Sequence, residues 1–326
     1  VCANLIYTKI IMKVVFVIPA YNDWDSLKIL SEQIKEISAR EKWRETELII
    51  VNDGSTQELK TSPNPFALKS TVLNLFSNQG NQKAITIGLS YINEQIPDYD
   101  YIIIMDADGE DKPSDAVNLI NESKKNEMKK IVFVTRAKRN EGSIYIFFYS
   151  IYKTLFRLLT GQKINLGHFS CIPKNLLNRI LSTSGIWMHY VAALIKSKLP
   201  FTTLECDKGK RILGETNQNN NMLLFHGLAS MSVYMDVIVL RLLLISLIAM
   251  FLVVICIGTV FYFKIFTDFI PQGWATTTSM GLAIIFVIFF LVSFFSLLTL
   301  LNKNLNPILS PKNAYENFIL NITKLS

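Results

Sequence analysis

The chain has 326 residues, half of them hydrophobic, and a formal net charge of +7. Its apolar surplus is concentrated in a few segments, which argues against both a disordered chain and an ordinary soluble one. The basic excess suits phosphates or anionic headgroups, and beside two long apolar stretches these fit better than nucleic acid.

Residues 1–11, VCANLIYTKII, are too short and weakly patterned for a signal peptide or a span, and read as an extension ahead of a start at Met12. From there, short β-branched runs at 13–19, 47–51, 71–76, 101–105 and 130–135 read as largely buried strands. Leu27, Leu30, Ile34 and Ile37 recur at helical spacing between the first two, and Ala84, Ile87, Leu89 and Ile92 do so before the fourth. This alternation predicts an α/β fold around a mainly parallel sheet. Residues 144–159, IYIFFYSIYKTLFRLL, combine aromatics with Lys153 and Arg157 four apart, the composition of an interfacial helix. From 161 to 236 the pattern loosens, and NQNNN at 217–221 reads as a polar loop.

Two uncharged stretches follow, 242–263 and 281–301. At about 1.5 Å per residue each reaches roughly 30 Å, enough to cross a bilayer core. Arg241 precedes the first, and Lys303, Lys312 and Lys324 follow the second, while the connector sets Lys264 against Asp268. By the positive-inside rule the N-terminal region and the tail are cytoplasmic. The expected organisation is an extension at 1–11, a catalytic domain at 12–236 that includes the interfacial helix, and a membrane domain at 237–326 ending in a cytoplasmic tail. Cys2, Cys171, Cys206 and Cys256 lack metal-ligand spacing and read as reduced thiols.

Ligands of such sheets gather at the carboxyl ends of the strands. Here those ends read PAYND, NDGST and DADGED, each acid-bearing and turn-rich. Neither GxGxxG nor GxxxxGK[ST] occurs, so phosphate handling by a Rossmann or P-loop turn is not supported. Asp106 and Asp108, one residue apart beyond a buried strand, can share a divalent cation whose remaining positions go to substrate oxygens.

IPAYND at 18, VNDGST at 51, NQGNQKAITIGL at 78 and DADGEDKP at 106 together resemble family 2 glycosyltransferases, which have the GT-A fold. TRAKRNEG at 135, GHFSCIP at 167 and GKRILGET at 209 are similar to the polyprenyl-phosphate glycosyltransferases within it. The resemblance implies that Pro19, Ala20, Tyr21, Asp23 and Asp53 hold the donor's base and ribose, with Ala107 at the donor site; Lys83, at the start of the NQGNQKA helix, reads either as a donor-phosphate contact or as an exposed helix-end lysine. It implies that Asp106 and Asp108 bind Mg²⁺ or Mn²⁺, with Glu110 where close relatives carry Gln. Arg136 and Arg211 fall where the family places phosphate-binding arginines; Arg139 and Thr216 are further acceptor-phosphate candidates. Lys112–Pro113 stands where many relatives have two prolines, and Gly214-Glu215-Thr216 replaces the usual GxS.

The implied activity is inverting transfer of a sugar from a UDP- or GDP-linked donor to undecaprenyl or dolichyl phosphate at the cytosolic face of the cell membrane. A phosphate monoester, with a second pKa of about 6, needs no general base. That accords with the absence of QxxRW, the signature of processive synthases whose acceptors are hydroxyls. Asp111 could act as a base, but its place in the motif suggests a structural role or support of the metal ligands, and His168 and His189 read as packing or hydrogen-bonding residues. The alternatives are transfer to a lipid hydroxyl and a non-catalytic membrane scaffold that binds nucleotide sugar. The sugar, the base, the prenyl length and any homo-oligomer stay open.

Overall fold

The structure is a computed structural model that describes residues 12–59, 64–136, 153–162, 166–183, 185–213, 220–266, 273–305 and 311–325. The chain divides into two units. One holds the described residues of Val1–Tyr149, Ile164–Val233 and Leu309–Ser326, and the other those of Ser150–Lys163 and Tyr234–Ile308.

The first unit is built on an eight-stranded sheet. Its strands are β1 (Lys13–Ala20), β2 (Glu45–Asn52), β3 (Lys69–Leu75), β4 (Tyr101–Ile104), β5 (Ile131–Arg136), β6 (Ser170–Pro173), β7 (Phe201–Cys206) and β8 (Ile319–Leu325). They lie in the order β7-β5-β6-β4-β1-β2-β3-β8. β6 runs antiparallel to β4 and β5, β8 runs antiparallel to β3, and the other pairs are parallel. The helices of this unit are α1 (Trp24–Glu41), α2 (Asn81–Gln95), α3 (Pro113–Lys125), α5 (Lys174–Leu181), α6 (Tyr190–Lys196), α7 (Asn220–Val233) and α10 (Pro311–Ala314), with a 3₁₀ turn at Tyr315–Phe318.

β1 is buried along its whole length, as its run of Val, Phe and Ile requires. Its residues Val14, Phe16 and Ile18 join Leu27, Leu30 and Ile34 of α1 and Leu119 and Ile120 of α3 in one core. Each such fully buried side chain contributes roughly 1.5–3 kcal/mol relative to exposure. α2 covers the other face closely: a Cβ at Gly88 would fall 2.7 Å from Val17 and 3.0 Å from Val51. Pairing of Ala20 with Asn52 and of Val17 with Ile104 brings the ends of β1, β2 and β4 to the same edge. β1 lies between β2 and β4, where the strand order reverses, and the crevice opens there.

The second unit contains α4, a helix described over residues 153–160, with α8 (Met235–Phe266) and α9 (Trp274–Leu305). Phe156 meets Tyr234 edge-on at 5.6 Å, and Arg241 Nη1 donates to the Leu158 carbonyl at 2.6 Å near the end of α4. Gly161, at φ +76, leaves room for that guanidinium: a Cβ there would lie 2.8 Å from Arg241 Nη2. Met235–Phe266 and Trp274–Asn302 are long and apolar enough to cross a membrane. Ile248, Phe251, Ile265 and Phe295 are 62%, 66%, 70% and 63% exposed, an outward apolar surface unlike that of buried core helices.

Two groupings expected from the sequence change. The tail was expected with the spans, yet α10 and β8 belong to the sheet unit, because β8 extends the β3 edge through Ser70–Leu325 to Leu75–Ile319. Conversely α4, expected with the catalytic domain, packs in the second unit through Phe156 and Arg241. Residues 144–152 of the expected interfacial helix lie outside the described residues, as do residues 1–11. The loosely patterned 161–236 region conceals β6, α5, α6, β7 and α7, and NQNNN runs into the start of α7 at Asn220.

Candidate active site

The carboxyl ends of β1 and β2 are tied together by one asparagine. Asn22, at φ 58, accepts from the amides of Thr56 and Gln57 at 3.0 and 3.1 Å, and its own amide donates to Ser55 Oγ at 3.0 Å. Asp53 is buried and accepts from Gln79 N–H at 2.6 Å and Gly80 N–H at 2.9 Å, which fixes the turn leading into α2. Gly54 passes beneath that turn at φ +71; a Cβ there would lie 2.6 Å from Asn78 N.

Beyond β4 the chain folds over its own acids. Asp111 accepts from the Asp106 amide at 3.0 Å, and Asp108 Oδ1 from the Glu110 amide at 2.9 Å. The segment after β7 closes on this turn, with Gly209 N–H donating to Glu110 O at 2.8 Å and Ile212 N–H to Asp108 O at 2.9 Å. Gly109, at φ +82, admits Ile212, which would lie 2.4 Å from a Cβ at that position. Arg211 thereby lies 3.6 Å from both Asp23 and Asp108, while Lys208 pairs with Glu110 at 2.6 Å. Arg136, at the end of β5, pairs with Asp111 and donates to the Glu110 carbonyl at 3.2 Å.

His168, just before β6, places Nε2 2.9 Å from Asp106 Oδ1, and Asn81 Nδ2 donates to the same oxygen at 3.0 Å. Among the described residues, Asn81 Oδ1 is buried without a hydrogen-bond partner, and His168 Nε2, also buried, has the Asp106 ion-pair contact. One ligand-capable atom from each of Asp106, Asp111 and His168 lies within 4.8 Å of the other two. These groups fit a divalent cation, since they combine hard oxygens with an imidazole.

The acids here are mutually frustrated. Burial, then the Asp106 charge, push Asp108 up to about 6 and Asp111 up to about 7, against the pull of Arg211 on the first and of His168 and Arg136 on the second. Burial would raise Asp106 too, but the His168 charge, with Asn81 and Arg136, holds it below the ordinary value. Burial pulls His168 down, and Asp106, Asp111 and Asp108 together outweigh it to reach about 9. Asp23 is raised by burial against the Arg211 charge.

Asp23, Asp106, Asp108, Glu110, Arg136 and Arg211, all expected from the sequence, form one connected network of ion pairs and backbone bonds with Asp111 and His168. Asp53 and Lys83 lie at the neighbouring α2 turn, and Pro19, Ala20 and Tyr21 at the end of β1. Glu110, expected beside the metal, pairs with Lys208, and the three-residue cluster contains Asp106, Asp111 and His168. His189 receives the Ala192 amide on Nδ1 at 3.3 Å at the start of α6, a structural cap. Arg139 and Thr216 lie outside the described residues. Sequence reasoning undervalued His168 because a lone histidine carries no spacing signal; only the β4–β6 pairing of Ile104 with Ser170 brings it beside the acidic turn.

A mainly parallel mixed sheet with an acid-lined crevice at its strand ends defines the GT-A class of fold. Residues 15–182 match the profile of glycosyl transferase family 2, just over half the chain, and the chain belongs to that family. A dolichyl-phosphate beta-glucosyltransferase of Trichomonas vaginalis is 28% identical over 166 residues, covering 48% of this chain and 47% of that protein. The chain thus spans about half the length of this curated relative. Glucosyl-3-phosphoglycerate synthase of Mycobacterium tuberculosis, solved with Mn²⁺, UDP-glucose and phosphoglyceric acid, superposes with a TM-score of 0.51 at 13% identity, over 70% of this chain and 80% of that one. The same enzyme with UDP gives 0.50 at 13% identity, over 70% and 80%. At such identities the likeness is one of fold.

Proposed function

We propose that the protein is a metal-dependent inverting glycosyltransferase that moves a sugar from a nucleotide sugar to a polyprenyl phosphate at the cytosolic membrane face. The observation that carries this reading is the joining of acids from the ends of β1 and β4 to Arg136 and Arg211 in one network. The dolichyl-phosphate relative supports a lipid-phosphate acceptor, and the UDP and Mn²⁺ of the fold neighbour support a nucleotide donor and a divalent cation.

Asp53 and the ends of β1 and β2 hold the nucleoside. Asp106, with Asp111 and His168 gathered on it, would hold the cation, and Asp108 on the same turn would share it. When bound, Mg²⁺ or Mn²⁺ offsets the charge that grows on the departing diphosphate. Arg211 leaves Asp108 and Asp23, contacts at a loose 3.6 Å, for the diphosphate oxygens. Arg136 brings the acceptor phosphate toward the sugar, and that phosphate, already dianionic near neutral pH, attacks without a base. The buried Asn81 Oδ1 is free to accept from a sugar hydroxyl.

In the same proposal the first unit is the cytoplasmic catalytic domain, and α8 and α9 are the spans. That the segments before α8 and after α9 share one unit supports an even number of crossings. Basic residues at those outer ends set the side. The test is to incubate membranes carrying the protein with radiolabelled UDP- and GDP-sugars and undecaprenyl phosphate, then extract the lipid. Label in an acid-labile prenyl phosphate is the expected result. Transfer to a lipid alcohol but not to its phosphate would overturn the acceptor assignment, and no transfer from any donor would overturn the reading as a whole.

A further inference from the structure

The segment that follows the spans reaches the donor side of the crevice. Pairing of β8 with β3 sets the preceding 3₁₀ turn beside α2, where the Phe76 amide donates to the Phe318 carbonyl at 3.1 Å and Tyr315 Oη donates to Glu94 at 3.0 Å. These bonds fix Phe318. Its ring packs on Trp187 with centroids 5.4 Å apart, and Lys83 Nζ lies 4.7 Å from the ring centroid. The same Nζ donates to Gln79 Oε1 at 3.1 Å. Gln79 is the residue whose amide is held by Asp53 at 2.6 Å, and its side chain also reaches Ser77 Oγ at 2.8 Å.

We propose that Phe318 is a positioning residue for the donor site, fixing Lys83 and through it the Ser77–Gly80 turn against Asp53, so that the ammonium is set toward a nucleoside diphosphate. This rests on the function proposed above. An aromatic face suits the task because it attracts the ammonium without occupying its N–H donors. Lys83 has three donors, of which Gln79 takes one, so the rest can meet an anion. A carboxylate at position 318 would instead neutralise the lysine. The position also explains why a tail arriving after two spans is built into the sheet rather than left as an appendage.

The experiment uses the full chain in detergent or nanodiscs, with Phe318→Ala, Phe318→Leu, Phe318→Tyr and Lys83→Met. Donor and acceptor KM and kcat are measured, together with calorimetric binding of UDP and GDP. Loss of the ring, in Phe318→Leu, should raise donor KM and nucleotide Kd about three- to tenfold, the range of a partly desolvated cation–π contact. kcat and acceptor KM should stay within twofold, and Phe318→Tyr should restore wild-type values. Phe318→Leu keeps apolar volume against Trp187 and serves if Phe318→Ala fails to fold. Adding Phe318→Leu to Lys83→Met should cost nothing more, because the ring acts only through the lysine that is already gone. A Phe318→Leu protein with wild-type donor KM and Kd, or a double variant whose losses multiply, would overturn the positioning role. A wild-type protein that transfers from no donor would overturn the proposed function instead.

Discussion

The crevice and the helix pair treat buried polar groups in opposite ways. Around Asp106 the fold gathers acids that repel one another and leaves Asn81 Oδ1 buried without a hydrogen bond. In α8 and α9, Ser246 and Ser293 are buried and fully occupied: their hydroxyls lie 2.6 Å apart and each also donates to, or lies near, a carbonyl of its own helix. The helix pair satisfies its polar groups internally, whereas the crevice keeps paired acids close together and buried, so that two of them are pushed well above the ordinary carboxylate range. Such local cost is what a site for a cation and a diphosphate requires.

The comparison is broken most directly at Asp106. Replacing it with Asn removes the carboxylate that meets His168 and Asn81 and that is proposed to hold the metal, and transfer should fall by about a thousandfold or more, in line with losing a central electrostatic group. The check is the radiolabelled-lipid assay with melting of the variant measured in parallel. Retention of a tenth of the activity would remove Asp106 from the centre of the site.

His168 should matter less, through metal affinity. His168→Ala is expected to weaken Mn²⁺ binding about 10- to 100-fold, the usual cost of losing a supporting group at a metal site. In the metal-free protein His168 stays protonated up to about 9 and Asp111 up to about 7. Protons and the cation compete, so wild-type affinity should rise as pH goes from 6 to 9, with proton release visible as buffer-dependent calorimetric heat. The variant should show a shallower rise. Equal slopes would mean that His168 does not share the cation.

Asp108 separates function from stability. Its folded pKa of about 6 lies above the ordinary 3.8, so the folded state binds the extra proton. Stability from this group is therefore greatest below about pH 4 and is lost as pH rises through 6. Asp108→Asn cannot ionise. In EDTA at pH 7.5 it should be more stable than wild type by about 1–3 kcal/mol, from a shift of roughly two units at 1.4 kcal/mol each discounted for relaxation. The gap should close by pH 4, while transfer activity falls. Denaturant melts at the two pH values provide the measurement.

The same contrast explains what could be read from the sequence. Buried β-branched runs followed by acids located β1, β2 and β4 and their loops, because period and composition are local signals. Asp23, Asp106, Asp108, Arg136 and Arg211 were legible as members of ordered motifs. His168 was not, since its approach to Asp106 depends on an antiparallel strand of only four residues. β8 was hidden for another reason. Ile319–Leu325 reads as a basic, mixed tail, and nothing local announces that it will pair with β3 across some 250 positions of sequence. The pairing of Glu110 with Lys208 was not legible either, because Lys208 comes from a loop with little pattern.

The smallest expected effect lies in the helix pair and sharpens the comparison from the quiet side. Ser246 and Ser293 face each other within one unit, and Ser293 Oγ has a further acceptor at Phe289 O, 3.0 Å away. If either serine becomes alanine, the surviving hydroxyl keeps its own helix carbonyl, so no polar atom is stranded. Interhelical hydrogen bonds of this kind contribute about 0.6 kcal/mol on average in membrane proteins. Ser293→Ala should thus lower stability by about that amount and leave the donor KM unchanged. Ser293→Leu is different, because the α8–α9 contact admits only a small side chain there, and overpacking typically costs about 1–3 kcal/mol. Unfolding in mixed detergent micelles reads both. If Ser293→Ala proved as damaging as Asp106→Asn is to activity, the helix pair would be part of the catalytic device, and the division between a frustrated crevice and a satisfied anchor would fail.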